Sequence, residues 1–281
     1  MHKTVIIKLM EKTIFAFCLF FIGLCLGSFV NAAVWRIKHK KDLVFARSEC
    51  TKCHYTLQWF DLIPVVSWVL LKGHCRKCKK SISSQYPLVE LGVAAFFVAS
   101  LAFWPYGFDS VNNLLQFAIW LLSGVGLAIL FVYDIRWLIL PDRVVMPLIG
   151  LGAGMTILKG LEAKDLGGFL VDVAGSLVIL SGFYLILYVY SKGKWIGFGD
   201  IKLGIALALL LASWQLSLLA FFLANLVGTL FFAPALSMGK IDRSAHIPFG
   251  PFLIIGFFIA GLFGQSIIEY YLIWTYSGIK I

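Results

Sequence analysis

Charged side chains are scarce in this chain: Asp, Glu, Lys and Arg make up 14% of its 281 residues, about half the share usual in a soluble domain. Because 60% of the residues are hydrophobic and the mean hydropathy is +0.92, the shortage excludes a water-soluble enzyme, a disordered tail protein and a dedicated nucleic-acid binder. Acidic residues are the scarcer sign, 14 against 24 lysines and arginines. Six cysteines are too few for a disulfide scaffold. The sequence also lacks an internal repeat, a low-complexity segment and a Rossmann-type glycine motif. What it has in quantity is long apolar runs.

A helix that crosses a bilayer needs about 20 mostly apolar residues. Runs of that kind, bounded by charge, Gly or Pro, predict an all-α membrane protein of about eight spans: 13–35, 87–104, 112–133, 143–158, 168–190, 201–213, 217–236 and 249–275. The sixth is short enough to be tilted or partly buried. A cleavable signal peptide is the competing reading of the start, since Lys3, Lys8 and Lys12 precede the apolar run and Asn31-Ala32-Ala33 is small. The run from Ile14 to Trp35 is too long for a signal core and enters a basic loop directly, as a retained first span does.

That loop holds Arg36, Lys38, Lys40, Lys41, Arg47, Lys52, Lys72, Arg76, Lys77, Lys79 and Lys80 against Asp42, Glu49 and Asp61. The excess of cations over short loops faces the cytoplasm, so 36–86 is predicted to be cytoplasmic. Lys192, Lys194 and Lys202 then fall on the same side, as do Lys240 and Arg243, while Lys159 and Lys164 fall on the other. Much of the net charge of +10 is thus explained by topology. The organisation expected is a first span over 1–35, a cytoplasmic four-cysteine loop over 36–86, and a helical bundle over 87–281.

Cys50-Thr51-Lys52-Cys53 and Cys75-Arg76-Lys77-Cys78 form two C-x-x-C pairs in that loop. Two turns with two thiolates each supply the four sulfurs of a tetrahedral structural Zn²⁺ site, and the surrounding cations offset the excess thiolate charge. A full sulfur shell leaves no open position, so such a metal holds shape only. A reduced or disulfide-forming loop is the alternative. His54 and His74 flank the pairs as exposed loop residues or substitute ligands, and Cys18 and Cys25 sit in the first span as small hydrophobes.

Carboxylates at membrane depth are costly and mark function. Asp134 ends the third expected span, and Asp200 opens the sixth after Gly197-Phe198-Gly199. Both fall at cytoplasmic helix ends, where two carboxylates sharing a proton can serve as base toward water and acid toward a carbonyl oxygen. The residues alone leave a second reading open: Asp134 paired with Arg136, and Asp200 capping a helix. Asp142, after Pro141, reads as a helix-start residue, and Glu90 as a cap or a partner for a loop arginine. Asp172 and Glu269 lie toward the exterior.

In their order these motifs resemble the type IV prepilin peptidase family, bifunctional leader peptidases and N-methyltransferases of the bacterial inner membrane. The resemblance rests on Gly27-Ser28-Phe29-Val30-Asn31 with Arg36, on Asp61-Leu62-Ile63-Pro64-Val65-Val66-Ser67 between the cysteine pairs, and on Tyr86-Pro87-Leu88-Val89-Glu90. It continues through Asp134 with Leu140-Pro141-Asp142, Gly197-Phe198-Gly199-Asp200-Ile201-Lys202-Leu203 as the GxGD motif, and Ile247-Pro248-Phe249-Gly250-Pro251-Phe252. Three details depart from it. No proline follows Cys50 or lies close after Arg36, and Lys194-Trp195-Ile196 replaces a more usual acidic, glycine and methionine run.

The resemblance implies Asp134 and Asp200 as catalytic residues and Zn²⁺ on Cys50, Cys53, Cys75 and Cys78. It further implies a prepilin or pseudopilin substrate cut at the cytoplasmic membrane face behind a short basic leader, then S-adenosylmethionine-dependent methylation of the new N-terminus. Arg36, Asp61 and Glu90 are the candidates for the methyl-donor site. The partners expected are the substrate and membrane lipid, with no nucleic acid. A GxGD peptidase without methyl transfer and, from another class, a transporter using intramembrane acids are the competing functions.

Overall fold

The computed structural model describes residues 2–239 and 248–278, and Lys240, Arg243 and Ile247 fall outside the described residues. Among the described residues every regular element is helical, and seven helices are long and apolar enough to cross a membrane. The chain divides into two compact units, Met1–Ala102 and Phe103–Ile281.

The first unit holds α1 (His2–Lys38), a 3₁₀ turn (Trp59–Asp61), the short α2 (Val66–Leu70) and nearly all of α3 (Gln85–Phe103). Two small residues one turn apart let α1 and α3 meet backbone to backbone. A Cβ on Gly23 would lie 2.6 Å from the Cα of Ala94, and one on Gly27 2.6 Å from that of Glu90. Asn31 ties the same pair together by donating from Nδ2 to the Tyr86 carbonyl at 3.0 Å.

The second unit begins with α4 (Val111–Trp137), whose start is capped by the Ser110 hydroxyl accepting from the Asn113 N–H at 3.0 Å. It ends at Leu138, left-handed at φ 53°, whose N–H returns to the Asp134 carbonyl. Then come α5 (Asp142–Glu162), α6 (Leu166–Leu177), a π turn (Val178–Gly182), α7 (Phe183–Ser191), α8 (Phe198–Leu211), α9 (Trp214–Ser237) and α10 (Gly250–Gly278). α6, the π turn and α7 run as one span, Leu166–Ser191.

α8 is the short helix that the sequence marks as tilted or buried. Its 14 residues include Leu203, Ala206, Leu207 and Ala208, all fully buried. α5 flanks it, and so does the π turn, which approaches so closely that a Cβ on Gly204 would lie 2.0 Å from the Leu180 carbonyl oxygen. A helix ending among apolar neighbours leaves its last carbonyls without partners. Lys159 of α5 supplies them, its ammonium donating to the Leu210 carbonyl at 3.2 Å and the Leu211 carbonyl at 2.9 Å. One of the cations counted against the charge rule is therefore a helix-end partner within the bundle.

Candidate active site and metal centre

The four cysteines converge. Their sulfurs all lie within 4.8 Å of one another, and Cys50 and Cys78 are 3.9 Å apart. A tetrahedron with metal–sulfur bonds of about 2.3 Å has sulfurs roughly 3.8 Å apart, so the cluster fits Zn²⁺. Each pair sits in the same small knuckle. The Cys50 N–H bonds to the Tyr55 carbonyl, the His54 N–H returns to the Cys50 carbonyl, and an isolated bridge joins Glu49 to Thr56. The second knuckle repeats this with Cys75 and Lys80, Lys79 and Cys75, and a bridge from His74 to Ser81. The residue after each second cysteine, His54 or Lys79, turns the chain at positive φ.

The thiols differ in acidity. Cys75 is lowered to about 7, chiefly because the N–H groups of Cys78 and Lys77 point at its sulfur, whereas burial opposes the shift. Cys53 also receives an N–H, from Tyr55, yet burial and the three neighbouring thiols leave it raised to about 11. Four thiols this close cannot all ionise without a cation among them, which is the chemistry of a metal centre. Both histidines stay outside: His54 faces Glu49 at 3.8 Å, and His74 Nδ1 lies 2.7 Å from the Lys72 carbonyl.

Arg36, Asp61 and Glu90 each hold a piece of the same loop. The guanidinium of Arg36, 8% exposed, donates to the carbonyls of Leu43 and Ala46, both at 2.5 Å. Asp61 pairs with Arg76 at 2.8 Å. Glu90 is buried on α3 and accepts the Val65 N–H at 2.7 Å. Val65 itself sits at φ 60°, ψ −50°, a conformation costly for a β-branched residue, inside a turn closed by the Val66 N–H on the Pro64 carbonyl.

In the second unit, Asp134 and Asp200 line one cleft of about 380 Å³ together with Leu138, Leu140, Asp142, Gly199 and Lys202. Asp134 lies in the last turn of α4, buried, with Oδ2 accepting the Gly250 N–H at 3.1 Å. That N–H belongs to the first residue of α10, where backbone donors lack intrahelical partners and the helix dipole favours a carboxylate. Gly250 has no room for more, since a Cβ there would lie 2.8 Å from the same oxygen. Asp200 occupies the first turn of α8 and accepts from the Gly197 N–H, near enough to Asp134 to feel its charge.

The alternatives that the residues left open resolve differently. Arg136 stacks over Trp137, and the Asp134 carboxylate accepts from the Gly250 N–H. Asp200 does take a backbone N–H as a cap would, while also lining the cleft. Asp142 opens α5 and forms an ion pair with Lys202 at the cleft. Sequence reasoning gave Gly250 no role. Its place in a Pro-Phe-Gly-Pro run at a helix start was the available signal.

Residues 21–104 match the model of the bacterial peptidase A24 N-terminal domain, and residues 121–233 that of the type IV leader peptidase family. The chain is 32% identical over 285 residues to a prepilin leader peptidase/N-methyltransferase of Stutzerimonas stutzeri, covering 92% of this chain and 94% of the relative. Proteins of the same name from Pseudomonas aeruginosa (31% identical, 95% of this chain and 96% of the relative) and Bacillus subtilis (32%, 90% and 96%) are similar along nearly their full length. No solved structure matches the chain.

Proposed function

This chain belongs to the type IV leader peptidase family, and from that membership we infer that Asp134 and Asp200 form the dyad with which it cuts prepilin leaders. It is a multi-pass membrane protein that removes the leader peptide of prepilin-like proteins and N-methylates the product. The observation that carries the dyad is the shared cleft: two carboxylates from separate helices, with one of them fixed by the Gly250 N–H.

Two carboxyls at such a site share one proton, because neighbouring like charges resist ionising together. The ionised member takes a proton from water as that water attacks the scissile carbonyl, and the protonated member gives its proton to the carbonyl oxygen. Collapse of the tetrahedral intermediate returns the proton pattern and frees the amine. Gly250 holds the Asp134 carboxylate in orientation, and the Lys202–Asp142 pair ties the Lys202 ammonium to Asp142.

Lys192, Lys194 and Lys202 near Asp200 support a cytoplasmic position for this end of the bundle, in the bacterial inner membrane, where a prepilin or pseudopilin presents its leader. Cys50, Cys53, Cys75 and Cys78 hold Zn²⁺ as a structural ion. S-adenosylmethionine supplies the methyl group when bound, and Arg36, Asp61 and Glu90 shape the loop proposed to receive it. Lipid surrounds the helices and no nucleic acid takes part.

The test uses purified protein, a prepilin and S-adenosylmethionine, with products weighed by mass spectrometry. Leader loss and one added methyl are expected from the wild type, and neither from Asp134→Asn or Asp200→Asn. Cleavage by either variant at near the wild-type rate removes that residue from the dyad.

A further inference from the structure

Just beyond α1 the chain builds a small apolar tip, Val44-Phe45, that none of the chemistry above uses. Phe45 is 88% exposed and Val44 69%. Exposed side chains of this size usually sit on loosely held chain, but this tip is fixed from two sides. Asp42 Oδ1 accepts the N–H groups of Val44 at 2.8 Å and Phe45 at 2.6 Å. Arg36 donates to the carbonyls on either side of the tip, Leu43 and Ala46. Half of the backbone polar groups of the four-residue bend are thus satisfied from within, and what its tip presents outward is hydrocarbon.

Position identifies the surface that the tip meets. Arg36 lies in the last turn of a helix that is apolar enough to span a bilayer and ends at Lys38. A guanidinium anchored there and bonded to residues 43 and 46 keeps the tip within one side-chain length of the helix end, hence at the edge of the bilayer that α1 leaves. Charge agrees. Lys38, Lys40 and Arg47 flank the tip in sequence, and the two nearby carboxylates are occupied, Asp42 by the tip's own N–H groups and Glu49 by Lys41 at 2.5 Å.

We propose that Val44-Phe45 is a membrane-interface anchor, its side chains seated at the level of the first acyl carbons and its flanking cations among anionic phospholipid headgroups. An apolar group offered in a preset geometry loses little conformational freedom on insertion, and basic residues beside it add attraction to an acidic leaflet. The anchor fixes the start of the four-cysteine loop against the membrane at a point other than its two helical ends.

Full-length protein carrying p-benzoylphenylalanine at position 45, in single-copy nanodiscs containing phosphatidylglycerol, tests this by irradiation and mass spectrometry. The same label at Lys52, an exposed residue between Cys50 and Cys53, serves as the reference. Lipid adducts about fivefold more abundant at 45 than at 52 are expected, falling severalfold when neutral lipid replaces the anionic one. Equal yields at the two positions, or adducts on peptides of the enzyme in place of lipid, overturn the proposal. Since Phe45 is almost wholly exposed, the labelled protein should keep its metal content. If it does not, the label at Val44 gives the same comparison.

Discussion

In the loop between α1 and α3, Cys50 and Cys78 come within 3.9 Å of each other in a segment whose one α-helix has five residues. Asp134 and Asp200 reach a common cleft on helices of 27 and 14 residues packed through buried leucine and alanine. The first site therefore has few apolar contacts to hold it, and its shape depends on whatever joins the sulfurs. The second is set by packing before any ligand arrives. Metal and carboxylates should accordingly fail independently.

The largest effect expected is on the loop. Binding a structural Zn²⁺ contributes on the order of 10 kcal/mol to folding such a segment, so Cys50→Ser or Cys78→Ser should release the ion and open the loop to protease. Metal analysis and limited proteolysis read this out: new cuts between residues 39 and 84 with the helices of the second unit intact keep the two regions separate, whereas collapse of both breaks the comparison. Next comes the proposed dyad, where Asp134→Asn or Asp200→Asn should lower cleavage by about 10³-fold while the metal stays at one per chain. Metal loss from either variant would falsify the independence.

A smaller effect concerns the helix end inside the bundle. Lys159→Met leaves the Leu210 and Leu211 carbonyls without their donor, at about 1–3 kcal/mol, lowering the melting temperature without touching the knuckles. The smallest difference is chemical. In chelated protein, Cys75, lowered to about 7, should alkylate at neutral pH well before Cys53, raised to about 11. A depressed acid stabilises its fold above its ordinary value and loses that contribution as pH falls through the depressed one. The Cys75 contribution therefore fades toward pH 7, and that of Cys53, shifted the other way, fades as pH rises toward 11. Equal alkylation of the two in differential labelling refutes this ordering.

The spans were legible because hydropathy reports on length and lipid exposure, and apart from the start of α1, which is helical from His2, the expected ends fall within a few residues of the helices. α8 was the instructive case, since its brevity signals burial and not a failed span. The cysteine spacing picked out the four residues that cluster, but the knuckle repeat escaped because it is written in hydrogen bonds and in the positive φ of His54 and Lys79, residues with no common side chain. Lys159 was misleading for a related reason: charge counts treat every cation as facing water, and this one is held by carbonyls of a neighbouring helix. Gly250 could not be assigned from sequence at all, because its role depends on a backbone N–H that meets a side chain 116 positions away.

The brevity of α8 also bears on how water reaches a peptide bond at the membrane. Fourteen residues rise about 21 Å, roughly 9 Å less than the hydrocarbon thickness of a bilayer. At the Leu211 end the Lys159 ammonium meets the last carbonyls, and at the Asp200 end the helix opens on the cleft. That cleft, of about 380 Å³, is wide enough to admit water. The helix that carries one carboxylate thus stops short of the bilayer's full depth, and its Asp200 end meets a cleft instead of lipid.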